Sequence, residues 1–353
     1  MKILAVDVGT GTQDILLFDS TREIENCLKL VMPSPTALVA DAIKRATAQR
    51  QAILLTGTLM GGGPSQWAAE EHRRAGLDVY ATPSAALSFN DELSEVEKMG
   101  VRIVSEDEAR RLPHVARIEM RDFYLDQITR AFAAFGLALD VDAYAIAVFD
   151  HGNSPSGYSD RRFRFDFIAD TIRAHGRLSA FAFMRDAIPP RMTRMIATAH
   201  SVTTDKPVLL MDTAPAAVLG ALEDPRAQSR PHALIANVGN FHTLAFHLGD
   251  GKINGVFEHH TGELTAAELE TYLDKLARGV ITNDEVFNDM GHGALVFDAT
   301  APAPSDLVVI GPRRGLLRGS ALNPYFAVPH GDMMIAGCFG LVRAFGDHAP
   351  EWK

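Results

Sequence analysis

The 353-residue sequence predicts an α/β protein of two related domains facing each other across a cleft, with a smaller α/β unit inserted in the first. Three observations predict it. A three-stranded meander with a glycine turn opens the chain, the same pattern begins again near residue 233, and between them strand-like and helical periods alternate. A chain of this length is also expected to divide its core between domains.

Residues 2–8 and 13–19 are apolar runs separated by Gly9-Thr10-Gly11-Thr12, which reads as a hairpin whose glycines can take positive φ. A third strand near 27–32 completes the meander. Residues 37–50 show helical periodicity, 52–58 a buried strand, 64–75 a helix with proline at its start, and 78–81 another strand. This locally α/β stretch, roughly 34–118, is the expected insertion. A helix at 122–135 leads to a strand at 143–149. Helices at 162–174 and 191–199 follow, then a strand at 207–212 and a helix at 215–222. After a polar, proline-bearing link at 223–231, strands at 233–237 and 243–247 flank a second glycine turn, and Gly249-Asp250-Gly251 leads into a third strand at 252–257. A helix at 265–277, a strand at 306–310 and a small-residue helix at 332–345 complete this half, while 279–305 and 318–330 read as loops. The expected domains are therefore 1–222 and 223–353.

Composition narrows the partners. With 47% apolar and 22% charged residues the chain is an ordinary globular sequence. Its 44 acidic residues against 34 Lys plus Arg leave a net charge of −10, and the arginine pairs at 110–111, 161–162 and 313–314 are isolated, so nucleic acid is not an expected partner. Two cysteines, Cys27 and Cys338, can build neither a disulfide framework nor a cysteine-ligated cluster, and point to a reducing cytoplasm. The chain reaches Asp7 before a signal-peptide core could form, and no apolar run approaches a membrane span, so a soluble protein is expected.

The chemistry concentrates in the two glycine turns. In residues 6–14, Gly9 and Gly11 let the backbone approach an anion, amide groups with the Thr10 and Thr12 hydroxyls can donate to phosphate oxygens, and Asp7 at the strand end can hold a magnesium-bound water. Residues 236–243 repeat that logic with Asn237, Gly239, Asn240, His242 and Thr243. Two such hairpins face to face would pinch a polyphosphate from both sides. Asp150 and Asp212 follow the apolar runs 143–149 and 208–211, so on adjacent parallel strands they would emerge at one sheet edge beside the first hairpin. Asp150-His151-Gly152 reads equally as a base with its orienting partner or as a turn opened by a capping aspartate. His259 and His260, adjacent on a strand, point to opposite faces and are expected to be core or surface residues rather than ligands of one metal.

These motifs resemble those of the actin, heat-shock chaperone and sugar-kinase superfamily. Residues 6–19 and 236–247 resemble its two phosphate motifs, 210–220 and 331–340 its connecting helices, and 308–314 its adenosine motif, all in the superfamily's order. The resemblance implies two ribonuclease-H-like domains around a nucleotide cleft, a last helix packing back on the first domain, and a hinge where the connecting helices cross. It implies ATP and Mg2+, with the metal organised by Asp7 and Asp212, catalysis by Asp7, Asp150 and Asp212, and nucleotide contacts from both hairpins, Gln13 included, and from Gly311, Pro312 and Arg313. Asn237 stands where many members carry aspartate, and Pro312 replaces one of the usual glycine pair. The activity implied is phosphoryl transfer to a small metabolite or its ATP-dependent activation, and the other reading is a regulatory ATPase acting on a protein partner. More narrowly, the sequence resembles a family from archaea and anaerobic bacteria sometimes labelled pyruvate formate-lyase activating enzymes. That label's chemistry needs three closely spaced cysteines around an iron–sulfur cluster, and this sequence has two distant ones.

Overall fold

The structure is a computed structural model and describes residues 1–350. The chain opens with β1 (Lys2–Val8), β2 (Thr12–Asp19) and β3 (Leu28–Pro33). Ile3, Leu4, Ala5 and Val6 of β1 are all fully buried, as a near-continuous apolar run in a central strand should be. Ser34 then caps α1 (Pro35–Ala48), its hydroxyl accepting the Ala37 amide, and Pro35 supplies the preset φ of the first turn.

The insertion continues through β4 (Ile53–Gly57), α2 (Pro64–Arg74), β5 (Val79–Ala81), α3 (Pro83–Ala86), α4 (Leu93–Lys98), β6 (Arg102–Ile103), α5 (Glu106–Arg111) and β7 (Ala116–Met120). Its four strands form an all-parallel sheet in the order β6-β5-β4-β7. It has its own core around Ile43, Ile53, Leu55, Val79 and Met120.

The first domain resumes with α6 (Leu125–Ala133), β8 (Ala143–Val148), α7 (Asp160–His175), β9 (Ala182–Met184), α8 (Thr193–Ser201), β10 (Val208–Asp212) and α9 (Thr213–Ala221). Its sheet runs β3-β2-β1-β8-β10-β9, with β1, β8 and β10 parallel and β2 antiparallel to both neighbours. After α10 (Pro225–Gln228), the second domain contains β11 (His232–Val238), β12 (His242–Gly249), β13 (Lys252–His260), α11 (Ala266–Ala277), α12 (Asn283–Asn288), β14 (Gly293–Val296), β15 (Leu307–Ile310), β16 (Tyr325–Phe326) and α13 (Ala336–His348). Its sheet, β14-β13-β12-β11-β15-β16, repeats the plan: an antiparallel meander, then parallel strands added beside its first member. The fold is thus a pair of ribonuclease-H-like α/β domains, the first carrying an inserted α/β unit.

Two stretches expected as loops contain structure. Residues 279–305 hold α12, opened by a Thr282–Glu285 capping box, and β14, which extends the sheet beyond β13. Residues 318–330 hold β16 at the opposite edge. Both strands are too short for a period to emerge from their sequences, and pairing with a longer neighbour is what makes them strands.

The two domains share one apolar core. Residues of the first sheet, α9 and α13 form a single cluster with Ile235, Leu244, Phe246 and Val308 of the second sheet, whose other face packs Phe257 and Val309 with Leu269 and Leu273 of α11. Helices α9 and α13 cross with their backbones in contact: a Cβ on Gly220 would overlap the Ala336 carbonyl, and one on Gly340 the Ala216 carbonyl. The terminal helix also lies against β1, β2 and β8, and the Cys338 thiol donates to the Asp14 carbonyl at 3.1 Å. Among the described residues no helix is long and apolar enough to cross a membrane.

Candidate functional site

The two glycine turns close in the same way. The Gly9 amide donates to the Thr12 carbonyl at 2.9 Å, and the Gly239 amide to the His242 carbonyl at 3.0 Å. Between these hairpins lies a cavity of about 520 Å³, lined by Asp7, Gly9, Thr10 and Thr12 on one side and by Asn237, Gly239, Asn240 and His242 on the other. Gly311 and Pro312 close one part of it, and Asp150 and His151 another. Gly311 must be glycine, since φ is +99° and a Cβ would run into the Val238 carbonyl and the Asn237 side chain.

Asp7 and Asp14 face each other across the first hairpin, and each keeps one buried carboxyl oxygen without a partner. Burial, reinforced by the neighbouring Asp14 charge, pushes the Asp7 carboxyl well above the usual carboxylate range, and burial lifts Asp14 to about 7. Gly337, at the start of α13, makes room for Asp7, because a Cβ there would collide with its carboxyl group. Asp14 was not singled out from the sequence, yet a signal was present: a hairpin turning between Thr10 and Gly11 pairs residue 7 with residue 14.

Asp150 and Asp212 do emerge at one edge, because β8 and β10 are parallel neighbours with Asp212 opposite Val148. Their surroundings differ. The Asp150 carboxylate accepts the Gly152 amide at 2.8 Å and the Met195 amide of α8 at 2.9 Å, and burial raises it to about 6. Asp212 is committed elsewhere: Arg164 of α7 donates to its oxygens at 2.6 and 3.1 Å, and one of them also accepts the Ala214 amide at the start of α9. Arg164 is fully buried. It also donates to Glu258 of β13 at 2.9 and 3.0 Å and to the Asp150 carbonyl at 2.8 Å, with its guanidinium 3.6 Å from the Phe149 ring centroid. One cation therefore ties two parallel strands of the first domain to the second domain. Nearby, Arg194 pairs with Asp122 at 2.7 and 2.9 Å, and Asp122 accepts the Gly61 amide of the insertion at 3.1 Å.

Other residues expected at the nucleotide lie outside the cavity wall. Gly11 is exposed, with room for no side chain before Asn240 across the cleft, since a Cβ there would meet the Asn240 amide, and the Gln13 amide donates to the Pro33 carbonyl at 3.0 Å. Thr243 is fully buried, its hydroxyl 3.0 Å from that of Thr261, and Arg313 is exposed beyond Pro312. Side-chain alternation explains Gln13 and Thr243: as equivalent second-strand positions, both point away from the cleft.

At the Asp150 end, the rings of His151, His242, His260 and His292 gather around Phe149, which stacks on His242 at 3.9 Å. Burial is the main force holding them neutral: His151 is pushed down to about 3, with Arg164 and Arg194 adding to the effect, and His242 and His292 lie well below the usual imidazole range. His259 faces the other way, buried against Tyr272, as strand alternation requires. Arg164, Arg194 and His292 carried no sequence signal, since none belongs to a recognisable motif.

Among solved structures, distant similarities span nearly the whole chain. A protein described as a "putative N-acetylmannosamine kinase" from Listeria monocytogenes is 11% identical, covering 99% of each chain with a TM-score of 0.38. The ROK hexokinase from Thermus thermophilus is 12% identical over 98% of this chain and 100% of its own, with a TM-score of 0.33. The apo psk41 ParM protein is 11% identical over 99% and 98%, with a TM-score of 0.34. The strand order described above, rather than these overlaps, defines the fold. No curated protein matches the sequence. The family described as "Putative pyruvate format-lyase activating enzyme (DUF1786)" matches residues 60–316, well over half of the chain, and the protein belongs to that family.

Proposed function

We propose that the protein binds ATP with Mg2+ between the two hairpins and transfers the terminal phosphoryl group to a small molecule held beside Asp150. The observation that carries this reading is the facing pair of equivalent hairpins, with the unpartnered carboxyl oxygens of Asp7 and Asp14 buried between them. Two opposed carboxyl groups, both raised by burial, suit a divalent cation whose charge brings both back to the ionised form. Asp7 and Asp14 would therefore hold Mg2+, directly or through water. Asp212 would instead position α9 and Arg164, since the Arg164 guanidinium already neutralises it by bonding both of its oxygens. Mg2+ held by Asp7 and Asp14 would supply charge neutralisation for phosphoryl transfer.

The chain's own task is placement. Hairpin amides with the Thr10 and Thr12 hydroxyls would cradle the phosphates, and Gly311 and Pro312 would meet the nucleoside. Asp150, immobilised by two backbone amides, would accept the proton of the attacking hydroxyl, and a carboxyl lifted to about 6 suits that role. Activation of pyruvate formate-lyase, the activity named in the family's description, is not supported. It calls for three clustered cysteines, whereas Cys27 sits at the Asp19 end of the first meander and Cys338 beneath Asp14.

Two measurements test this reading. Mg·ATP at a hundredfold excess over its dissociation constant is expected to stabilise the protein by about 2.7 kcal/mol in denaturant unfolding. Asp7→Asn should keep metal-free nucleotide binding and lose the gain from magnesium, and no stabilisation by any common nucleotide would end the proposal. For the acceptor, candidate metabolites should stimulate ADP release in wild type and not in Asp150→Asn, with nucleotide binding intact in both. Slow release indifferent to every metabolite would put a regulatory ATPase acting on a protein partner in its place.

A further inference from the structure

The histidine cluster does more than line a cleft. His151 follows β8 in the first domain, His242 begins β12, and His292 immediately precedes β14, so three separate segments from both domains bring their imidazoles together. One ring nitrogen of each lies within 4.8 Å of the others. Their hydrogen bonding is incomplete in a way uncommon for buried polar groups: His292 is 1% exposed with neither nitrogen partnered, and Nε2 of His242 is buried and unpartnered. Leaving such a group unsatisfied costs about 1–3 kcal/mol, so the open nitrogens of His242 and His292, converging with His151, call for a shared partner.

Three imidazoles whose ring nitrogens lie this close to one another present the donor type that an ion of the zinc class takes. The surroundings hold the rings in place. Phe149 stacks on His242 within 14° of parallel and meets His151 edge-on at 4.9 Å. His260 completes the group, 4.6 Å from His292 between ring centroids, and its Nδ1 donates to the Met290 carbonyl at 2.7 Å.

We propose that His151, His242 and His292 form a three-imidazole site for a divalent first-row transition ion of the zinc type, with one coordination position open to the cleft. Three nitrogen donors without a carboxylate favour zinc, cobalt or nickel over magnesium or calcium, which take oxygen ligands. The open position follows from the cavity wall, which includes His151, His242 and His260. A protein ligand set of three that leaves a fourth position for water or substrate is the arrangement of catalytic rather than structural zinc. The ion would sit at the Asp150 end of the cleft, where an oxygen of the acceptor can replace its water. The inference rests on the histidine geometry alone and stands whether or not ATP is the nucleotide.

The test uses the full chain, stripped with a chelator and titrated with Co2+. About one ion per chain is expected, with the visible absorption of a four- or five-coordinate cobalt centre, displaced by Zn2+. His292→Ala and His151→Ala should each weaken binding by about tenfold or more, while exposed His200→Ala should not. Melting in chelator establishes that each variant folds, and if one does not, the other decides. Absence of the cobalt band in wild type, or equal affinity in folded variants and wild type, would overturn the proposal. Neither result depends on nucleotide, so failure here is separable from failure of the phosphoryl-transfer reading.

Discussion

Arg164→Ala is expected to lower stability by about 3–5 kcal/mol, the range for breaking a buried ion pair by removing one partner. The magnitude follows from what the arginine leaves behind. Asp212 and Glu258 are 2% and 0% exposed, and both pair with the single guanidinium between them. Even with Arg164 present, burial pushes Glu258 up to about 7, so its environment is poor in charge compensation. Arg164→Lys should recover only part of the loss, because an ammonium cannot bond both carboxylates in the planar fork that Arg164 uses. Arg164→Met combined with Asp212→Asn and Glu258→Gln should be more stable than Arg164→Ala alone, since the uncompensated charges are then gone. Denaturant unfolding of the four proteins measures this. A loss below about 1 kcal/mol in Arg164→Ala would mean that water reaches both carboxylates and that the network is no clamp between the domains.

The second large effect is expected at Gly340. Overpacking a core costs about 1–3 kcal/mol when side chains can shift, and Gly340→Ala should reach the top of that range or exceed it. The obstacle is backbone: the new Cβ would meet the Ala216 carbonyl and the Gly220 amide of α9, neither of which can change rotamer. The helices must separate instead. Such a displacement also moves Gly337, one turn earlier, against which the Asp7 carboxyl rests, so Mg·nucleotide binding should weaken together with stability. Gly262→Ala, where a Cβ meets nothing within 4 Å, is the control and should stay within about 0.5 kcal/mol of wild type. If Gly340→Ala unfolds like the control, the crossing is looser than its contacts indicate and carries no hinge.

Much of this architecture was legible in residue order alone, and the reason is local. Hairpins are specified by turn chemistry and alternation within a dozen residues, so residues 6–14 and 236–243 announced two equivalent turns, and Asp7, Gly9, Gly239 and Asn240 stand at the cavity. The closely packed connecting helices were written in their small residues, because backbone contact needs glycine. Even Asp14 was recoverable from the hairpin's symmetry.

What the tertiary structure decided is convergence between distant segments. Asp212 ends its strand as expected, but whether its carboxylate faces a metal or an arginine depended on Arg164, which is 48 residues away along the chain and carries no motif. His292 lay in a stretch that reads as a loop, and its meeting with His151 and His242 required β14 to pair with β13 and the two domains to close on each other. Periodicity and turn residues report on an element's own backbone, and so they determined the hairpins, the helices and their order. Burial, ion pairing and metal ligation belong to contacts between elements, and those arise only once the domains have packed.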